Sequence, residues 1–472
     1  AKSRSLSECI SQTIGGCCSP SQTAMIDIID FKTNASANFN SATGLQLGAE
    51  FMIMTDRACS AWTFFRLLIF VGIPDRVITL VVTKSSMLSR IILSISSLSS
   101  SARITIAQLA LSRNGLSVVY SDMVGFDGNE FYFYKPENGW GGPLTFGESI
   151  NRFKDSTPMG VHTGDGEIKL NPPSNTKISE NDELIVFAED DSTIFFFPEP
   201  VHKPKINKIP DIVSNLKKQK VAILNWTSKA SIIMEKLCTY VPDESEIIAF
   251  HHEKTPDMDS YLAQLKNNYP KLNISIKSMD LNDLNDLNDI EPQNFDSILI
   301  LSPGGTTIEE MDAYVISLLI RVRQILQNKK LKKWPKLITE VMDSENIDII
   351  LNSGVEDFMV SNQFVSQIMA QVSEEPLALD VYDDLFRAEG SELYIKPADF
   401  YFSFEGQQSI TLPYGDCTEA ALLRREVCLG IQLNAHQNER DKFFGVSLIP
   451  DKSEQITLTP KDGLITLAED ET

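Results

Sequence analysis

The sequence is poor in the residues that most reactions need. Five histidines occur in 472 residues and, apart from the adjacent His251-His252, they are scattered. There is no G-x-S-x-G elbow, no H-E-x-x-H pair and no P-loop, which removes the commonest hydrolase and nucleotide-hydrolysing constellations. The seven cysteines, including the adjacent Cys17-Cys18, form no C-x-x-C pair and no cluster with histidine. Neither a zinc site nor a disulfide framework is therefore indicated, and a reducing compartment is expected. No apolar run approaches the roughly 18 to 20 residues of a spanning helix. The nearest, Leu67 to Ile73, is short and lies between Arg66 and Arg76, so the chain as given is expected to be soluble. Its start at Ala1 allows that it is part of something longer. Basic residues are also scarce, 42 Lys and Arg against 64 Asp and Glu for a net charge of -22. That balance argues against nucleic acid, which needs a basic stripe to displace counterions, and it suits cations.

What is present reads as two to four domains. The first hundred residues carry eight Lys or Arg against six Asp or Glu, whereas the remainder carries 34 against 58. Val77 to Val82 is strand-like, but Met87 to Ser101 shows no clean period. From Ala102 the pattern becomes regular. Helices are expected at Ile104 to Leu111 and from Val119, then a strand at Glu130 to Lys135, a short helix at Leu144 to Phe153 and a strand at Met159 to His162. A turn at Gly164 to Gly166 leads to Glu167 to Leu170, and Asp182 to Ala188 closes the unit. Pro198 to Pro210 holds four prolines and reads as a linker.

Beyond the linker, strands at Lys220 to Leu224, Glu246 to His251, Leu272 to Ile276, Lys336 to Met342 and Ile347 to Leu351 alternate with helices at Ser228 to Tyr240, Tyr261 to Asn268, Ile308 to Asn328 and Ser361 to Val372. At their centre, Ile298 to Leu301 is a continuous apolar run stopped by Ser302-Pro303-Gly304-Gly305, as expected of a strand buried on both faces. The fold class is therefore α/β, a doubly wound parallel sheet with right-handed crossovers plus small α+β lobes. Ligands of such sheets lie beyond the carboxyl ends of the strands.

A repeat runs through the chain. Asp182, Leu184, Ile185, Ala188, Glu189 and Asp190 recur without a gap as Asp462, Leu464, Ile465, Ala468, Glu469 and Asp470. Upstream, Val119-Tyr120, Asp122 and Gly128 to Tyr132 recur as Val381-Tyr382, Asp384 and Gly390 to Tyr394, and Met159-Gly160-Val161 recurs as Leu429-Gly430-Ile431. One small lobe is thus written twice, and symmetry expects a sheet domain before each. The expected layout is 1–101, a divergent or incomplete first sheet domain; 102–197, connector helices and the first lobe; 198–217, linker; 218–360, the second sheet domain; 361–472, its connector and lobe.

Phe295 to Leu301, Glu340 to Asp343, Val360 to Ser366, Leu385 to Glu392 and Asn181 to Asp191 resemble the Castor and Pollux family of ion channels. The tandem as a whole resembles the ligand-sensing regions that regulate conductance of potassium channels. The resemblance covers about residues 102 to 472. It implies the cytosol-like gating portion of a tetrameric cation channel, a homo-oligomeric ring that acts on a membrane pore lying outside this chain, and no enzyme activity.

Candidate sites follow from the layout. A dinucleotide-binding domain carries glycines in the turn after its first strand. Here the turn reads Asn225-Trp226-Thr227-Ser228-Lys229-Ala230, where Trp226 obstructs the approach to pyrophosphate. Asn225, Trp226, Ser302, Gly304 and Gly305 remain the rim of a possible ligand crevice, and a soluble nucleotide-binding sensor or enzyme is the alternative reading. His251-His252-Glu253 reads as a solvent-facing strand end. Asp283, Asp286 and Asp289 lack the mid-loop glycine and closing glutamate of a calcium loop. Glu189, Asp190, Glu469 and Asp470 occur in both copies and have the ligand type for calcium, although solvated carboxylates at a strand exit need no ion. The long helix from Met311 to Asn328 is apolar on most sides, and part of it is expected to meet another domain or subunit.

Overall fold

The computed structural model describes strands 50–54, 64–70 and 77–82, and residues 105–469 apart from 126–127, 204, 212–216, 253–257, 304–306, 332–333, 344–345, 347–348, 350–356, 387–389 and 438. The chain divides into two units, 1–95 and 96–472. In the first, β1 (Glu50–Met54), β2 (Phe64–Phe70) and β3 (Val77–Val82) pair antiparallel in sequential order. These three strands form an antiparallel meander; the rest of the expected first sheet domain lies outside the described residues.

The second unit begins with α1 (residues 105–111) and α2 (Leu116–Val124). They are separated at Gly115, whose φ of 99° is left-handed and favours glycine. The first lobe follows: β4 (Glu130–Tyr134), β5 (Leu144–Thr145), α3 (Phe146–Ile150), β6 (Thr157–His162), β7 (Ile168–Leu170), β8 (Lys177–Ile178) and β9 (Glu183–Ala188). Its strands form one sheet in the order β4-β9-β6-β7 and a ribbon β5-β8. The expected helix at Leu144 starts two residues later because Thr145 builds a capping box: its Oγ1 accepts from Glu148 N at 3.3 Å, and Glu148 Oε2 accepts from Thr145 N at 2.9 Å. Leu144 is thereby free to pair with Ile178.

The sheet domain comprises β10 (Lys220–Leu224), α4 (Ser228–Tyr240), β11 (Glu246–His251), α5 (Met258–Asn268), β12 (Asn273–Ser278), α6 (Leu284–Asp289), β13 (Ser297–Ile300), α7 (Ile308–Asn328), β14 (Lys336–Val341) and β15 (Asp357–Val360). All neighbours are parallel, in the order β12-β11-β10-β13-β14-β15. The sixth strand is Asp357–Val360, not Ile347 to Leu351. Of that expected stretch only Ile349 is described, and it is helical. The α7 residues Met311, Val315, Leu318, Leu319, Val322, Ile325 and Leu326 are buried at helical spacing. All of these but Met311 pack with Ala222, Leu224, Ile298 and Ile300 of the central strands in one core cluster. Each such side chain contributes about 1.5–3 kcal/mol by leaving water.

Next come α8 (Ser361–Glu374), α9 (Ala378–Leu385), β16 (Glu392–Pro397), β17 (Ile410–Pro413), α10 (Tyr414–Leu423), β18 (Val427–Gln432), β19 (Val446–Leu448), β20 (Gln455–Leu458) and β21 (Gly463–Ala468). The sheet order β16-β21-β18-β19 and the ribbon β17-β20 match the first lobe strand for strand. Register matches too. Glu130 faces Ala188 as Glu392 faces Ala468, and Gly160 faces Ile185 as Gly430 faces Ile465. Both inner strand pairings carry a bulge, at Pro158/Gly160 and Cys428/Gly430. A Cβ on Gly160 would lie 2.6 Å from Lys169 O, and one on Gly430 2.4 Å from Ser447 O, so the neighbouring strand requires glycine at both. The connectors repeat a contact as well: Tyr120 donates to Gln108 and Tyr382 donates to Gln371. The two helix pairs interlock. Tyr120 stacks on Phe386 at 5.8 Å, Phe131 meets Tyr382 at 5.1 Å, and Gln371 Nε2 donates to Gly125 O at 3.1 Å.

The lobes also meet along a polar seam. Lys452 N donates to Lys154 O at 3.0 Å, Lys154 Nζ pairs with Asp451 Oδ2 at 2.8 Å, and Asn171 Nδ2 donates to Arg425 O at 3.0 Å. The linker crosses this seam, where His202 Nε2 lies 2.8 Å from the buried Asp416 Oδ1, which also accepts from Lys205 N at 3.1 Å.

Candidate functional site

The strand order reverses between β10 and β13, where Leu224 faces Ile300 and Leu301 N donates to Leu224 O at 3.1 Å. This switch point is where an open α/β sheet receives a ligand. Asn225 leaves β10 in the left-handed region, with φ of 77°. Its side chain turns across the gap: Nδ2 donates to Leu301 O at 2.7 Å and Oδ1 accepts from Tyr314 OH at 3.2 Å. Asn225 and Ser302, expected at one rim, do come together and both are buried. Trp226 is half-buried, its ring 5.6 Å from that of Tyr261. Gly304 and Gly305 lie outside the described residues.

A second group, not singled out from sequence, closes the same crevice. Glu340, at the end of β14 and 2% exposed, accepts from Lys229 Nζ at 2.9 Å through Oε1 and from Ser302 N at 3.3 Å through Oε2. Asp312 on α7 is 1% exposed and accepts from Met342 N, Asp343 N and Asn346 Nδ2, each at 2.9 Å. Three donors satisfy a buried carboxylate and fix the loop leaving β14. The sequence signal for Asp312 is an acid inside an otherwise apolar helix stripe. Lys229 and Glu340 give no local signal, because 111 residues separate them. The crevice is thus lined by side chains that satisfy one another, in an arrangement that braces the sheet.

The histidine pair divides. His252 is exposed and 3.5 Å from Asp280 Oδ1, whereas His251 is 5% exposed and so is not the solvent-facing residue expected. It points inward because it ends a strand buried along its length after Glu246. Asp283 caps α6, accepting from Asn285 N at 2.7 Å, and Asp286 accepts from Asp280 N at 2.9 Å.

At the acidic strand ends, Glu189 and Asp190 are exposed after β9, and Glu469 is exposed after β21. Asp470 lies outside the described residues. Asp190 accepts from the Oγ and N of Ser192, which hold its carboxyl below the ordinary range. Nearby Glu130 is pushed up by burial and by the charges of Glu374 and Asp190. Among the described residues no group of three or more His, Cys, Asp or Glu is placed to hold a metal ion. The repeated Asp182 and Asp462 are turn braces. Asp182 accepts from Gly164 N and Ser179 N, at 2.9 and 2.7 Å, and Asp462 from Asn434 N and Thr459 N, at 2.7 and 2.5 Å. In the second lobe, Glu392 is buried between Tyr240 OH at 2.5 Å and Tyr394 OH at 2.9 Å. Burial pushes its carboxyl up against the lowering effect of those hydroxyls. Among the described residues no helix is long and apolar enough to cross a membrane.

Comparison with known proteins adds to this geometry. Residues 102–203 match the family model described as Castor and Pollux, part of voltage-gated ion channel. The probable ion channel POLLUX of Oryza sativa subsp. japonica is 27% identical over 355 residues, covering 68% of this chain and 36% of its own length. The ion channel DMI1 of Medicago truncatula is 26% identical over 355 residues, covering 68% and 39%. The chain therefore spans well under half of these relatives. Among solved structures, one titled GsuK channel bound to NAD is matched over 78% of this chain and 55% of its own, at 12% identity and a TM-score of 0.29. The family match and the relatives bear out the resemblance read from the sequence: the chain is similar to the Castor and Pollux ion channels.

Proposed function

We propose that this chain is the regulatory, non-enzymatic region of a cation channel, a gating ring that senses a cation or small ligand and couples it to a pore in a membrane-spanning part outside these residues. The observation that carries the reading is the relation over 355 residues to proteins named as ion channels. The proposal takes potassium or another cation as the transported species, and a reducing, cytosol-like side for the ring. A switch of this kind needs a ligand that binds two arrangements unequally. Interlocked connectors and a polar lobe seam supply elements that could differ between them.

Assembly as a homo-oligomer, a tetrameric ring, is supported by α7. Its outer face borders a groove of about 610 Å³ lined by Ala313, Ile316, Ile320 and Ile349, with Glu309 and Arg321 at its edge. Ile320 and Ile349 are each 50% exposed, and charges of both signs beside an apolar strip suit contact with another copy. The repeated Glu189-Asp190 and Glu469-Asp470 are the proposed calcium ligands, being oxygen donors of the type that ion takes. A nucleotide-binding sensor or enzyme is favoured only by the strand order, and Asn225 with the Lys229–Glu340 pair stands against it at the crevice.

Titration calorimetry with calcium on the full chain and on a variant combining Glu189→Gln, Asp190→Asn, Glu469→Gln and Asp470→Asn tests the ligand. Binding heat lost in the variant supports these residues. Equal heats in both chains would remove them, and heat from a dinucleotide instead would favour the alternative.

A further inference from the structure

At the lobe seam Lys452 is 1% exposed, and its Nζ donates to the carbonyl of Ser156 in the opposite lobe at 2.8 Å. No carboxylate pairs with this ammonium among the described residues, although Lys is almost never fully buried without one. The groups facing it are Asp155 and Lys154 from the first lobe, Cys428 of β18, and Asp451, which is engaged by Lys154 and Ser453. Beside its backbone, where Gly415 N donates to Lys452 O, α10 brings Tyr414, Asp416 and Glu419, with His202 against Asp416. Burial pushes the Cys428 thiol up to about 12, so it is neutral. The seam is also imperfectly satisfied: Asn151 Oδ1 and Ser156 Oγ are buried without partners. Opening to water would satisfy both.

We propose that the seam between the two lobes is a proton-coupled joint, in which closure buries the Lys452 amine as the free base against the Ser156 carbonyl and opening returns its proton from water. Burial brings the amine down to about 7 in the closed seam, against an ordinary 10.5 once solvated. The sign follows. Above 10.5 both states hold the neutral amine and closure is unhindered. As pH falls from there towards 7 only the open seam gains a proton, so closure weakens by up to about tenfold per pH unit. Below 7 both are protonated and the effect stops growing.

Hydrogen exchange of the full chain, followed by mass spectrometry at pH 7, 8 and 9 and corrected for intrinsic rate, tests this on peptides spanning 152–157 and 449–454. Protection there is expected to rise several-fold to tenfold per unit, while a peptide in β10 stays flat. Lys452→Met is expected to be protected independently of pH, and Lys452→Arg to remain weakly protected at pH 9. Flat wild-type protection, or an unchanged pH dependence in Lys452→Met, would overturn the proposal. If Lys452→Met does not fold, the wild-type and Lys452→Arg profiles decide alone: coincident profiles refute it.

Discussion

Replacing Lys229 by methionine tests whether the crevice is held by its own side chains. The Lys229 side chain is 14% exposed and that of Glu340 is 2% exposed, with 2.9 Å between Nζ and Oε1. Removing one partner of a buried ion pair costs about 3–5 kcal/mol because the other charge stays behind in a poor solvent. Residual access to Lys229 places Lys229→Met near the lower end, about 3 kcal/mol. The double variant Lys229→Met, Glu340→Leu removes both charges and is expected to cost less than Lys229→Met alone, since apolar replacement of a buried pair is often near neutral. The readout is exchange of the slowest amides in β10 and β13, which report opening of the sheet domain. The single variant is expected to accelerate them roughly a hundredfold, as 1.4 kcal/mol is tenfold. An acceleration under fivefold, or a double variant that costs no less than Lys229→Met alone, would refute the reasoning.

Three further outcomes follow. Gly430→Ala and Gly160→Ala each place a Cβ within 2.6 Å of a backbone oxygen and are expected to destabilise their own lobe by about 1–3 kcal/mol, seen by calorimetry. Thr145→Ala removes the cap of α3 and is expected to destabilise the first lobe by about 1 kcal/mol in urea unfolding. Glu392 has a raised carboxyl in the folded chain, so protonation favours the fold: this contribution is full below the ordinary carboxylate range and is lost as pH rises through the folded value. Glu392→Gln is expected to flatten that dependence in denaturation curves taken from pH 4 to 8, and an unchanged slope would count against it.

Much of the scaffold was legible because it follows from local pattern. Uninterrupted apolar runs such as Ile298 to Leu301 announced a sheet buried on both faces, and the recurrence of Asp182 to Asp190 as Asp462 to Asp470 announced two lobes of one design. Thr145 moved a helix start because a capping box outweighs two residues of apolar spacing. The sixth strand lies at Asp357–Val360 and not at Ile347 to Leu351, because a short stretch such as Ile347-Asp348-Ile349-Ile350-Leu351 suits helix and strand alike. The crevice filling and the seam were not legible. Glu340 and Lys229 are 111 residues apart, and Lys452 and Ser156 are 296 apart, so neither pair leaves a local signature. Nothing in the neighbourhood of Lys452 distinguishes it from an exposed lysine until the lobes are in contact.

Light scattering of the purified chain, with and without millimolar calcium, tests the gating-ring reading most directly. The account predicts a defined oligomer whose mass or hydrodynamic size changes with calcium. A monomer indifferent to calcium would contradict it.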